Sequence, residues 1–212
     1  MKQEINFDVI RELIRISKAM EENRLVNTYE GNLSAMADGL MYITPTSTRK
    51  RDLTEELIAV LDGEGKQIYG ERRPSSEKTM HAGAYRLRSD IGAVIHCHAT
   101  YLTAYAMCQI PLDAKCHPEM LMFFRDIPVA PYGRPGTADI FDHAAPLLKE
   151  RNIVLLGNHG VLAVGSTLEK AFARVEAAEK FAQTLTIAKS LGPTVRLPEE
   201  DIAFLSTLPI TV

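Results

Sequence analysis

Hydrophobic and polar residues follow two different periods along this chain, and each period predicts a different kind of element. Between residues 6 and 24 apolar residues recur at helical spacing with charged residues between them, which predicts an amphipathic helix. The same criteria, with helix-start and helix-stop signals, predict further helices. These run from Pro74 to about Ser89, over 101–108, from Pro135 onward, over 167–190, and after Pro198.

Short apolar runs rich in β-branched residues predict strands. The runs 58–61 and 67–69 flank Asp62-Gly63-Glu64-Gly65, a turn sequence typical of a hairpin. The runs 153–156 and 161–164 predict a second hairpin, and the run 127–130 predicts another short strand. Because several consecutive strands lack a helical crossover, we expect one α/β domain with a mixed or antiparallel sheet, not a doubly wound parallel one. We expect this single domain to span 1–212.

The composition is that of an ordinary globular protein, with 212 residues, 46% of them hydrophobic and 24% charged. A net charge of -3 gives no electrostatic reason to bind nucleic acid. No apolar run is long enough to span a membrane, and the start Met1-Lys2-Gln3-Glu4 lacks an apolar signal segment. The 3 cysteines have no C-x-x-C spacing, which argues against disulfides. We therefore expect a cytoplasmic protein without a nucleic-acid or membrane partner.

Three of the 6 histidines occur where they could bind one metal ion. His96 and His98 end an apolar run, and residues two apart on a strand point to the same face. His159 lies in the glycine-flanked turn of the second predicted hairpin, and Glu77 follows two serines. A structural role is the simpler interpretation of any one histidine. Together, three imidazoles and a carboxylate favour a divalent metal, Zn²⁺ first, with Mn²⁺ or Co²⁺ as alternatives.

Three polar loops predict a second site, for an anion. They are Gly31-Asn32, Thr46-Ser47 and Ser75-Ser76, each at a strand end or a helix start. Free backbone N–H groups at a helix start bind phosphate well, although capping and turn formation explain most such clusters. The adjacency of Ser76 and Glu77 favours the anion site, because it puts the cradle within one helical turn of the metal candidates.

These residues together resemble the class II aldolase/adducin family, which includes sugar-phosphate aldolases and epimerases. The resemblance extends in order over about residues 6–190. The matched motifs are Gly31-Asn32-Leu33-Ser34, Thr44-Pro45-Thr46-Ser47, Pro74-Ser75-Ser76-Glu77, His96-Cys97-His98-Ala99, Tyr132-Gly133-Arg134-Pro135-Gly136-Thr137 and Asn158-His159-Gly160. The resemblance implies an α/β/α fold with a mostly antiparallel central sheet. It also implies a homotetramer with active sites at subunit interfaces.

The resemblance also implies roles for individual residues. Glu77 would be the catalytic acid/base, and it would also coordinate the metal in the resting enzyme. The metal ligands would be His96, His98 and His159. The substrate phosphate would be bound by Asn32, Thr46, Ser47, Ser75 and Ser76.

The sequence departs from the family pattern in three places. Tyr29 replaces a threonine before the Gly-Asn pair, with Thr28 one step earlier. A tyrosine that serves the aldehyde end of the substrate in the aldolases is missing from the stretch 116–119, where His117 and Glu119 are the candidates instead. The tail 208–212 also lacks a tyrosine. The metal and phosphate half of the site is therefore kept, and the aldehyde half is altered.

The expected function is that of a metal-dependent aldolase. It would cleave a ketose 1-phosphate, of the L-fuculose or 5-deoxypentulose type, into dihydroxyacetone phosphate and an aldehyde. The alternatives are a 4-epimerase of the L-ribulose-5-phosphate type, which Glu119 supports, a decarboxylase, and an inactive adducin-like module. The three histidines and Glu77 disfavour the last. For His81 and His143 we expect packing or exposure. The alternative for His81 is a supporting role behind the metal site, because it follows Glu77 by one helical turn on the same face.

Overall fold

The computed structural model describes residues 4–208, which form an eight-stranded sheet with helices on both faces. The strands are β1 (Asn32–Ala37), β2 (Leu40–Ile43), β3 (Ala59–Leu61), β4 (Gln67–Tyr69), β5 (Ala93–Cys97), β6 (Leu112–Asp113), β7 (Asp126–Ile127), β8 (Val129–Ala130), β9 (Ile153–Leu156) and β10 (Gly160–Gly165). The helices are α1 (Phe7–Glu22), α2 (Lys78–Leu87), α3 (Thr100–Cys108), α4 (Pro118–Phe124), α5 (Asp139–Leu148), α6 (Leu168–Leu191) and α7 (Glu199–Thr207), with two 3₁₀ turns at Lys50–Asp52 and Glu55–Leu57.

The main sheet has the strand order β4-β3-β2-β1-β5-β10-β9-β8. All of its neighbouring pairs are antiparallel except β8 and β9, which are parallel. The strands β6 and β7 form a separate two-stranded sheet. The mostly antiparallel α/β fold that the resemblance implies is confirmed, as are the two predicted hairpins.

Successive side chains of the central strands point to opposite faces of the sheet, so the core has one layer on each face. In β10, Val161 and Ala163 pack into the larger cluster with α1, α3 and α6. Leu162 and Val164 pack on the opposite face with α2 and α5. Because strand side chains alternate between faces, a fully buried strand such as β10 needs apolar residues at every position, and it has them.

The register of the sheet brings the candidate site residues together at one end of the central strands. Asn32 of β1 pairs with His96 of β5, and His96 pairs in turn with Leu162 of β10. On the other side of β1, an isolated bridge joins Pro45 to Pro74. The ends of β2 and β5, the start of β1 and the loop before α2 therefore share one end of the sheet.

Some predicted boundaries were wrong. The strand predicted at 127–130 is divided at Pro128 between β7 and β8, which belong to different sheets. The predicted helix at 74–89 begins at Lys78 and ends at Leu87, with Glu77 as its N-cap. Ser75 Oγ accepts a hydrogen bond from the Glu77 amide in the turn before the helix, at 3.2 Å. Helix α4 was not predicted. The tail residues 209–212 lie outside the described residues. Within 4–208, no helix combines the length and apolarity that crossing a membrane requires.

Candidate metal centre

The structure brings the three predicted histidines together. His96 lies near the end of β5, His98 directly follows that strand, and His159 lies in the turn between β9 and β10. The ring centroids of the three pairs are 5.0, 4.6 and 4.9 Å apart. One nitrogen from each ring lies within 4.8 Å of the other two. The arrangement has the ligand number and spacing of a metal site with an open position.

The ring nitrogens of this histidine triad have distinct surroundings. His96 Nδ1 lies 2.9 Å from the Val161 carbonyl and donates to it, so His96 Nε2 is free of a proton. His96 Nε2 lies 3.1 Å from His98 Nε2, a distance at which two neutral nitrogens either share a proton or face a cation. His98 Nδ1 points outward, 3.5 Å from Glu30 Oε1. Such outer partners fix a ligand ring and its tautomer.

Glu77 lies against the triad. Its Oε2 accepts a hydrogen bond from Asn32 Nδ2 at 2.7 Å and lies 3.4 Å from His96 Nε2. Its Oε1 lies 3.6 Å from His159 Nε2. Within the described part of the chain, Glu77 Oε1 and His159 Nδ1 are buried without a hydrogen-bond partner. Because buried acceptors without partners are rare, the free Glu77 oxygen beside three imidazoles fits a divalent cation.

The lowered pKa values of His96 and His159 also favour metal binding. Burial lowers the pKa of His96 well below its ordinary value, and the neighbouring His159 and His98 lower it further. Burial also lowers the pKa of His159, against the opposing effect of the Glu77 charge. Metals bind neutral imidazole, so rings that stay unprotonated near neutral pH do not have to lose a proton first.

Two glycines let the backbone come close to the triad. A Cβ at Gly160 would lie 2.5 Å from the Cys97 carbonyl oxygen and 2.7 Å from His98 Cδ2. Gly31 has a φ of +72°, and a Cβ there would lie 2.6 Å from Val26 Cγ1. Glycine is therefore required at both positions, one beside His98 and one directly before Asn32.

The predicted phosphate-binding loops meet beside Glu77. The Ser75 amide donates to the Thr44 carbonyl and the Thr46 amide to the Arg73 carbonyl, each at 3.1 Å. These bonds hold the 44–47 loop against the loop before α2, next to the start of β1. Thr46, Ser47 and Ser76 are exposed there, whereas Ser75 and Asn32 are buried.

The two aldehyde-side candidates are not brought to the triad. His117 is the N-cap of α4, where its Nδ1 accepts from the Met120 amide, and its ring centroid lies 6.1 Å from that of Phe181. Glu119 is exposed in the first turn of α4. Among the contacts of the described residues, none joins either one to the metal candidates of the same chain.

The structure adds residues that the sequence analysis named only as alternatives or did not name. His81 is fully buried and bonded to Asn32 and Ser34, which favours the supporting role that its spacing from Glu77 allowed, whereas His143 is exposed. Ser34 and Tyr85 were not named, although two spacings report them. Tyr85 follows His81 by four residues on α2, and Ser34 follows Asn32 by two on β1, so each pair lies on one face. The role of Glu30 beside His98 had no signal beyond its position before Gly31.

Comparisons with known proteins agree with this geometry. The family model of the class II aldolase and adducin N-terminal domain matches residues 11–186. The chain is 38% identical over 174 residues to L-fuculose phosphate aldolase of Escherichia coli O6:H1, covering 82% of this chain and 80% of the relative. It is 33% identical over 199 residues to 5-deoxy-D-ribulose 1-phosphate aldolase of Bacillus thuringiensis serovar kurstaki, covering 92% of each. A solved structure of an L-fuculose 1-phosphate aldolase superposes with a TM-score of 0.90 at 38% identity, over 97% of this chain and 98% of that one.

Proposed function

The chain belongs to the class II aldolase and adducin family and is a class II aldolase, and we propose that it uses a divalent metal to cleave a ketose 1-phosphate into dihydroxyacetone phosphate and an aldehyde. One observation carries the proposal. The buried Glu77 Oε1 has no hydrogen-bond partner among the described residues and faces His159, in a cluster with His96 and His98.

His96, His98 and His159 would hold the metal in this proposal. A bound divalent cation supplies a Lewis acid that stabilises negative charge developing on the oxygens of the substrate. We propose Zn²⁺ as the physiological ion because the donor set is dominated by imidazole, with Mn²⁺ and Co²⁺ as alternatives.

Glu77 would act as the acid/base. When the bond between C3 and C4 of the ketose breaks, Glu77 as the base would take the proton of the C4 hydroxyl, and C4 would depart as the aldehyde. The electron pair of the broken bond would stay with the three-carbon fragment, and Glu77 would return the same proton to C3, which gives dihydroxyacetone phosphate. Asn32, Thr46, Ser47, Ser75 and Ser76 would bind the phosphate. This remote contact orients the reacting carbons.

The aldehyde half of the substrate would meet a neighbouring subunit. We propose a homotetramer in which His117 and Glu119 of one chain serve a site on another, because neither contacts the triad of its own chain. Exposed apolar side chains on α3, after α3 and at the end of α6 offer an interface, among them Met107, Ile110 and Leu191. Light scattering should then give the mass of four copies of the 23.5 kDa chain. We also propose that each chain is a single domain.

The names of the two relatives limit the set of candidate substrates. One acts by its name on L-fuculose phosphate and the other on 5-deoxy-D-ribulose 1-phosphate. Both names describe a phosphorylated ketose, which supports a phosphate site next to a common metal site. We propose a substrate of one of these two types.

A cytoplasmic location is part of the proposal, since Cys97, Cys108 and Cys116 are unpaired.

A coupled assay for dihydroxyacetone phosphate tests the proposal. The panel holds fuculose, rhamnulose and 5-deoxypentulose 1-phosphates and ribulose 5-phosphate, with Zn²⁺ or Mn²⁺ added. Release from a 1-phosphate, abolished by a chelator and restored by metal, is the expected result and names the aldehyde. No release from any 1-phosphate, with epimer formation from ribulose 5-phosphate, would replace the proposal by the epimerase alternative. Elemental analysis of the purified protein identifies the metal.

A further inference from the structure

Five polar side chains form a hydrogen-bonded series that runs from Glu77 into the interior between α2 and β1. Asn32 Nδ2 donates to Glu77 Oε2 at 2.7 Å, and Asn32 Oδ1 lies 2.6 Å from His81 Nε2. His81 Nδ1 lies 2.7 Å from Ser34 Oγ, which lies 2.7 Å from the Tyr85 hydroxyl. His81 is fully buried, yet both of its ring nitrogens have partners.

The donor and the acceptor of each hydrogen bond in this series can be assigned from the Glu77 carboxylate. A carboxylate only accepts hydrogen bonds, so the nitrogen of the Asn32 amide faces Glu77 and its oxygen faces His81. His81 must then carry its proton on Nε2, and its Nδ1 accepts from the Ser34 hydroxyl. Ser34 in turn accepts from Tyr85. Burial lowers the pKa of His81 to about 3, which agrees with a neutral ring that holds one proton.

The reverse order of the amide would be repulsive. It would put Asn32 Oδ1 against Glu77 Oε2, two acceptors at 2.7 Å. It would also put the amide nitrogen against His81 Nε2, where the present tautomer has a proton. The Glu77 carboxylate and the His81 N–H therefore favour the same amide orientation, and an apolar side chain in place of His81 would remove one of these two contacts.

The two oxygens of Glu77 differ as a result. Asn32 holds Oε2, while Oε1 lies 3.6 Å from His159 Nε2 with no hydrogen-bond partner in the described part of the chain. Both oxygens lie beside the triad, since Oε2 is 3.4 Å from His96 Nε2, but the bond from Asn32 to Oε2 leaves Oε1 as the oxygen without a hydrogen bond beside His159.

We infer that His81 is a positioning residue of the active site, which fixes the Asn32 amide so that Asn32 holds Glu77 Oε2 and leaves Oε1 free of hydrogen bonds beside His159. The inference rests on the proposed function, because the proton transfer assigned to Glu77 is what the positioning serves. His81 acts only through Asn32, and Ser34 Oγ provides the partner of its second ring nitrogen.

Two substitutions at this position separate positioning from packing. His81→Leu introduces an apolar side chain of comparable bulk and removes the donor. His81→Gln keeps an amide N–H that can reach Asn32 Oδ1. Met80→Leu changes a neighbouring buried side chain on the same helix without touching the series, and it serves as the matched control.

The kinetic measurement separates the effect of each substitution on kcat from its effect on KM. The substrate is whichever sugar phosphate of the panel the wild type cleaves. We expect His81→Leu to lower kcat about 10- to 100-fold with the metal still bound, since a misplaced group costs rates of this order. His81→Gln should recover most of the loss, and Met80→Leu should stay near wild type. A His81→Leu enzyme with wild-type kcat, or equal losses in the Leu and Gln variants, would overturn the inference.

A second readout does not depend on activity. In crystal structures of the wild type and His81→Gln, we expect the Asn32 Nδ2–Glu77 Oε2 contact to persist, and in His81→Leu we expect it to be lost or the Glu77 side chain to turn. An unchanged contact in His81→Leu contradicts the inference. If the wild type cleaves no 1-phosphate, the proposed function fails while this structural comparison still decides the role of His81.

Discussion

Asn32 pairs with His96 across β1 and β5, and the same Asn32 donates at 2.7 Å to Glu77, the N-cap of α2. One sheet position thus fixes the proposed acid/base relative to the first proposed metal ligand. Because strand register cannot slip without moving every buried side chain to the other face, this relationship is rigid. The consequences of disturbing each part can therefore be predicted separately.

Glu77→Gln should abolish most turnover while keeping the metal and the fold. Glutamine has the shape of glutamate and can still accept from Asn32, but it cannot accept and return a proton. Loss of a general acid/base typically costs about 10²–10⁴-fold in rate. We would measure kcat, metal content and thermal unfolding together. Turnover close to wild type with full metal content would remove the assigned role from Glu77.

His96→Ala should lose the metal. His96 is fully buried and supplies one of three clustered nitrogens, so its removal leaves two imidazoles for the ion. His143→Ala is the matched control, because His143 is exposed and bonded only to the Tyr132 carbonyl. Elemental analysis of both proteins after dialysis gives the answer. One metal per chain in His96→Ala would contradict the ligand assignment.

Much of this site could be predicted from local sequence. The i, i+2 rule brought His96 and His98 together, and glycine next to His159 indicated a turn. The buried series could not be predicted in the same way. The hydrogen bond between His81 and Asn32 joins residues 49 positions apart, and no local period reports which helix face meets which strand.

Boundary errors also have physical causes. Ser75 Oγ accepts from the Glu77 amide, as an N-cap serine does, but α2 begins only at Lys78. The bridge between Pro45 and Pro74 and the bond from the Ser75 amide to the Thr44 carbonyl hold residues 74 and 75 against the neighbouring loop, so tertiary contacts set the start of α2. Helix α4 is seven residues long and begins at a proline, so its period was too short to recognise.

Glu30→Gln should weaken metal binding. Glu30 Oε1 lies 3.5 Å from His98 Nδ1, and a carboxylate behind a ligand imidazole raises its basicity. Loss of such an outer partner costs about 10- to 100-fold in affinity, and the partial exposure of Glu30 favours the lower end. Competition with a chromogenic chelator measures the change. Glu64→Gln, at an exposed turn, should bind metal as the wild type does, and equal affinity in both variants would contradict the pairing.

Gly160→Ala should destabilise the protein and disturb His98. The added Cβ would lie 2.5 Å from the Cys97 carbonyl oxygen and 2.7 Å from His98 Cδ2, closer than real contacts allow. Such overpacking costs about 1–3 kcal/mol in the free energy of unfolding. Gly63→Ala is the control, because a Cβ there meets nothing within 4 Å. Urea unfolding and metal titration should separate the two, and identical results would argue against the close approach.

Lys50→Met should stabilise the protein near neutral pH, in a way that depends on pH. Lys50 is 1% exposed in a 3₁₀ turn that packs on α1, and burial lowers its pKa to about 8 from 10.5, against the opposing charge of Glu21. Below about pH 8 the lysine is charged in both the folded and unfolded states, so folding has the full cost of burying that charge. The difference between the two pKa values corresponds to about 3 kcal/mol.

The pH dependence distinguishes this cause from better packing. Between about pH 8 and 10.5 the unfolded chain binds more protons at Lys50 than the folded chain, so the stability of the wild type rises with pH relative to that of Lys50→Met. We therefore expect the advantage of Lys50→Met in urea unfolding to be largest near pH 7 and to shrink as the pH approaches 10. Lys66→Met, at an exposed position, should show no such trend. An advantage that stays constant with pH would assign the gain to packing, and a loss of stability at pH 7 would mean that the buried amine is compensated by its surroundings.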